Sequence, residues 1–222
     1  STARGSRSDG YIGIGREAVF LRGYGYTAWF PWISSDREGY KERAEFRVSV
    51  DVPARWRTVA FGELFSETTG NGRYRSSWQT AGRVPLNLAG IWAGCWTRAG
   101  DDDLTVYHLD SGESREAARI LSEVAVPLRK AMFEHYGQDR RRTRYFLVEL
   151  DLPSGGYPSL GAVGLAKGGF RRAVDRDARY AIIEWLGHEM VHEFVDVALD
   201  MDAPGAAAIH DGFALYFHLP LL

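Results

Sequence analysis

Hydrophobic and polar positions change their period partway along the chain. In residues 44–52, Phe46, Val48, Val50 and Val52 alternate with Arg47, Ser49 and Asp51, and Pro53 ends the run. That two-residue period predicts a strand with one buried face. Residues 11–30 are rich in Tyr, Phe, Ile and Gly and read as further strand, as do stretches near 58–64, 73–79, 86–96 and 104–109. Asn71-Gly72 predicts a hairpin, because both central positions of that turn take positive φ. From residue 113 the period becomes 3.6. Ala117, Ile120, Leu121, Val124, Leu128, Ala131 and Met132 form one stripe, which predicts an amphipathic helix over 113–136, bent at Pro127 and stopped by Gly137. Residues 145–150 (YFLVEL) predict a short buried strand. The glycine-rich residues 153–169 lack phosphate-loop spacing and predict a loop or an edge strand. Helices are predicted over 176–200 and 206–218. The fold class expected is α+β: an N-terminal antiparallel β-sheet domain over 1–110, then a mixed domain over 111–222.

Composition narrows the partners. The 222 residues carry 27 Lys+Arg against 29 Asp+Glu, a net charge of −2. No global basic field is available to hold nucleic acid or an anionic membrane, so neither is an expected partner. No run approaches the roughly 18 apolar residues that span a bilayer. Of the basic residues only Lys41, Lys130 and Lys167 are lysine, a bias that reads as codon usage. Arg140, Arg141, Arg142 and Arg144 read as a solvated turn. A single cysteine, Cys95, excludes an internal disulfide and a multi-cysteine metal cage, and it reads as a small buried hydrophobe.

The chemistry sits at His188-Glu189-Met190-Val191-His192, an H-E-x-x-H inside the helix predicted over 176–200. Residues at i and i+4 share a helix face, so both imidazoles can bind one Zn²⁺ at about 2.0–2.1 Å. Glu189 then lies beside the metal and can take a proton from zinc-bound water. The alternative is a helix in which two surface histidines bracket a glutamate. A catalytic zinc needs a third protein ligand and an open position. The segment from His210 to Tyr216 offers Asp211, with 18 residues between it and His192. His210 is the fallback ligand. Asp211 also reads as a helix-start carboxylate, favourable near the N-terminal dipole.

This spacing, followed by Gly212-Phe213-Ala214-Leu215-Tyr216, resembles the M1 aminopeptidases, zinc enzymes of the gluzincin group. Trp29-Phe30-Pro31-Trp32, the run from Phe46 to Pro53 and the stretch from Val84 to Trp96 are similar to parts of that family's N-terminal β domain. Residues 113–137 and 145–150 resemble the first helix and strand of its thermolysin-like catalytic domain. The resemblance implies one Zn²⁺ per chain held by His188, His192 and Asp211. It further implies Glu189 as general base, Tyr216 in the ligand helix as a catalytic candidate, and a peptide substrate. It also implies a partial catalytic domain, with the missing remainder of the enzyme as a partner.

Three departures accompany it. The family's third ligand is Glu, one methylene longer than Asp211. The family's strand that grips the substrate's amino terminus carries a Glu, whereas residues 158–165 carry none, leaving Glu149 and Asp151 as candidates. The family's oxyanion-binding tyrosine lies well downstream, leaving Tyr157, Tyr180, Tyr216 and His218 as stand-ins. An extended peptide could still pair with a strand edge at 160–165. Two functions therefore stand: a zinc-dependent metallopeptidase of aminopeptidase type, or a catalytically impaired relative acting as a metal-binding or interaction module.

Overall fold

The computed structural model describes residues 12–14, 18–22, 43–136, 144–152 and 154–198, together with Gly212, Ala214 and Tyr216. The segment Trp29–Trp32 and residues Gly137 and Arg140–Arg142 lie outside them. The protein is mixed α+β and divides into two compact units at Cys95/Trp96. Among the described residues no helix is long and apolar enough to cross a membrane.

The first unit is built from β1 (Ile12–Ile14), β2 (Ala18–Leu21), β3 (Arg43–Ala44), β4 (Arg47–Pro53), β5 (Arg57–Ala60), β6 (Glu63–Gly70), β7 (Arg73–Gln79), β8 (Val84–Pro85) and β9 (Ile91–Gly94). They form a sheet ordered β1-β2-β9-β5, a sheet ordered β4-β7-β6 and the pair β3-β8, all antiparallel. The alternation in β4 appears as expected, with its Arg and Asp side exposed and Val52 buried. Asn71 and Gly72 turn the β6–β7 hairpin at φ 52° and 71°, the left-handed conformation such a turn requires. Trp92 stacks on Phe20, and Val52, Trp56, Tyr74 and Ala93 pack together. The buried hydroxyls of Thr58 and Ser76 meet at 2.6 Å, and Trp78 Nε1 donates to Ser76 Oγ. The stretch expected as one strand near 58–64 is two, because the chain changes sheets at Phe61-Gly62. That expected over 86–96 opens with a 3₁₀ turn, Leu86–Leu88, before β9. Cys95 is only partly buried.

The second unit contains β10 (Thr97–Gly100), β11 (Leu104–His108), α1 (Gly112–Tyr136), β12 (Tyr145–Leu150), β13 (Gly156–Ser159), β14 (Ala162–Ala166), α2 (Lys167–Arg172) and α3 (Arg176–Ala198). Its sheet is ordered β10-β11-β12-β14-β13. The central pairings β11-β12 and β12-β14 are parallel, and both outer strands are antiparallel. Strands β10 and β11 thus belong with β12, although their sequence precedes the expected border at 110. A β–α–β crossover through α1 needs β11 and β12 in one sheet. Leu104, Val106, Tyr145, Leu147, Val163 and Leu165 face the helices and share one core with them. On the opposite face Trp96, Tyr107 and Phe146 stack in sequence.

The glycine-rich stretch is neither a loop nor a single edge strand. Its second half is β14, buried throughout and paired on both sides. Buried on both faces, it lacks the alternation that marks a strand in sequence. The outer strand on that side is therefore β13, not residues 160–165. Helix α1 runs through Pro127 to Tyr136. The short helix α2 was hidden by Gly168-Gly169, which weaken helix propensity, and is held by the fully buried Phe170.

One buried charge ties this unit together. Glu149 in β12 has no exposed surface. Its carboxylate accepts Leu109 N at 2.8 Å, Ser114 Oγ at 3.0 Å and Arg171 Nε at 2.8 Å. Ser111 caps α1 by accepting Ser114 N at 3.0 Å, and its hydroxyl donates to Ser114 Oγ. Removing the carboxylate strands Arg171, Ser114 and a backbone N–H. Glu149→Leu is therefore expected to destabilise the protein by about 3 kcal/mol, read as a lowered urea midpoint at unchanged slope. Glu149→Gln, which keeps the shape, should cost about half as much.

Candidate metal centre

Helix α3 starts at a cap. Asp175 Oδ1 accepts Asp177 N at 3.0 Å. The middle of the helix is buried nearly all round, with Leu186, Met190, Val191, Phe194 and Val195 in the core. A helix so enclosed has no solvated face for polar groups. Yet Glu189, His192 and Glu193 lie there at 7%, 3% and 8% exposure. Polar groups placed so deep have to be hydrogen-bonded or otherwise engaged, because leaving them bare is costly.

The two imidazoles meet. His188 Nε2 and His192 Nε2 are 3.2 Å apart, with ring planes at 86°. Two histidines on one tetrahedral zinc, each about 2.0–2.1 Å from it, keep their nitrogens about 3.3 Å apart. The donor pair fits that ion by type and by separation. In the metal-free protein the same pair forms an N–H···N bond whose donor is set by the tautomers.

Glu189 lies beside them on the same helix. Trp185 Nε1 donates to its Oε1 at 3.0 Å. Its carboxylate rests against the backbone of Gly156 in β13, where any Cβ would collide with it. The base expected from sequence is thus next to outer strand β13.

The remaining candidates are distributed differently. Asp211, His210 and His218 lie outside the described residues. Gly212, Ala214 and Tyr216 are helical. Ala214 is fully buried in the core that α3 joins, while Tyr216 is 67% exposed. Among the described residues no group of three or more His, Cys, Asp or Glu is clustered to hold a metal. Glu149, offered by sequence for a substrate ammonium, is instead committed to Ser114, Arg171 and Leu109 N. Asp151 pairs with Lys167 Nζ at 2.6 Å. Tyr157 donates its hydroxyl to Ser154 O, and Tyr180 is exposed. Trp185 went unnoticed in the sequence. Its position four residues before Glu189 was the available signal.

No protein-family model matches this chain, and no curated protein matches it.

The histidine pair makes a direct prediction. The purified protein should bind about one zinc per chain. His188→Ala and His192→Ala should each weaken binding by at least about 10²-fold, measured by competition with a chromophoric chelator. Unchanged affinity in both variants would show that the imidazoles are not ligands.

Proposed function

We propose that the protein is a zinc-dependent metallopeptidase that hydrolyses peptide bonds, aminopeptidase-like and with a thermolysin-like second unit. The observation that carries this reading is the Nε2 pair of His188 and His192 at 3.2 Å, with the enclosed Glu189 on the same helix. His188, His192 and Asp211 would hold the ion. When bound, zinc supplies a Lewis acid that makes water nucleophilic near neutral pH and polarises the scissile carbonyl.

The protein's own residues do the rest. The carboxylate of Glu189 takes the proton from the attacking water and returns it to the departing amine, so one group serves as base and then as acid. An extended peptide lying along outer strand β13 would bring its scissile bond beside Glu189. Tyr216 is the candidate for stabilising the oxyanion. Partnership with a further part of the enzyme belongs to the same reading.

A second reading is a relative that binds metal or a partner without turnover. It is favoured by one observation, that Glu149 and Asp151 are both engaged within the fold rather than available to a substrate ammonium.

The experiment is peptide hydrolysis by the zinc-loaded protein, followed by mass spectrometry alongside elemental analysis. Glu189→Gln should keep the zinc and lose about 10²-fold or more of the rate. An equal rate in that variant would refute the mechanism. A wild-type protein that holds zinc but cleaves no peptide would establish the second reading.

A further inference from the structure

We infer that Trp185 is the positioning residue of this site: its indole N–H fixes the Glu189 carboxylate, and the bare backbones of Gly156 and Gly169 make the room in which the pair is held. The inference rests on the peptidase reading for its catalytic consequence.

The geometry has three parts. Trp185 and Glu189 are four residues apart, on one face of α3, and Nε1 is 3.0 Å from Oε1. An indole N–H only donates, and a bond from it to a carboxylate is charge-assisted when the acid is ionised. Next, the indole is seated on α2. A Cβ on Gly169 would collide with its Cζ3, so the ring lies directly on the helix backbone and packs against the core. A ring with two torsions, held on one side by a backbone, presents its N–H in a fixed direction. Finally, a Cβ on Gly156 would collide with Oε1, Cδ and Cγ of Glu189 together. The carboxylate is therefore confined between an N–H and the β13 backbone.

This confinement sets the orientation of the carboxylate. Oε1 is committed to Trp185 and faces Gly156, which fixes the plane in which the carboxylate can take a proton. A general base works only within hydrogen-bonding reach of its proton, and small displacements of a reacting group are costly in rate. Fixing the carboxylate plane is what Trp185 contributes. Trp185 thus acts through Glu189.

Two measurements test this. In metal-free protein labelled with ¹⁵N-tryptophan, the indole resonance lost in Trp185→Phe identifies Trp185 among the seven tryptophans. Glu189→Ala should move that resonance and speed its exchange with solvent by about tenfold. In zinc-loaded protein, Trp185→Phe should lower kcat by about tenfold while KM and zinc content stay at wild-type values, and Gly156→Ala should lower kcat/KM with zinc content unchanged. A merely structural role would lower soluble yield without that split. If Trp185→Phe does not fold, the indole resonance displaced by both Glu189→Ala and Gly156→Ala identifies Trp185 and still decides. An indole resonance indifferent to Glu189→Ala overturns the inference, and so does full kcat in Trp185→Phe. In that last case Glu189→Gln remains inactive and the peptidase reading stands. An inactive zinc-loaded wild type removes the peptidase reading and the catalytic role of Trp185 with it.

Discussion

A carboxylate with no exposed surface has to be fully compensated, and around Glu149 the second unit is arranged to do so. Its donors come from two regions far apart in sequence: the turn after β11 with the first turn of α1, and helix α2. Each donor fixes an element. Ser114 ties the N-terminus of α1 to β12, and Arg171 ties α2 to the same strand. Because α2 carries Gly169, that tie also sets where the backbone under Trp185 lies. A charge that no solvent reaches thus locates the floor of the site on α3.

The site itself depends on enclosure. The middle of α3 is buried on nearly every side, and its polar groups are engaged with one another or with neighbouring elements. In a low-dielectric setting such contacts are stronger than in water and the penalty for misplacing them is larger. The same enclosure that would keep bulk water from Glu189 demands a donor for its carboxylate, and Trp185 supplies one. Glycines at 156 and 169 are the complementary condition, since neither the carboxylate nor the indole fits if a side chain is added there.

Much of the fold was legible where the signal is local. The stripe from Ala117 to Met132 marks α1, the alternation from Phe46 to Val52 marks β4, and Asn71-Gly72 marks the hairpin turn. Strand β14 escaped because burial on both faces erases alternation. Helix α2 escaped because a glycine pair disguises it until Phe170 is buried. Glu149 looked like a binding carboxylate because sequence does not show that its strand faces α1 and α2. Trp185 carried no signal of its own, because an aromatic on a buried helix is usually core.

The sequence by itself determined that His188, Glu189 and His192 share a helix, since helical period and side-chain spacing are properties of a few consecutive residues. It also determined the two-part change of period along the chain. Only the tertiary structure decided that strands β10 and β11 join the second sheet, that β13 rather than β14 is an outer strand, and that Glu149 serves the fold. Only there does Trp185 reach a carboxylate through gaps left by two glycines. Strand order, burial of charge and close backbone approach are set by contacts between residues distant in sequence, and no local period records them.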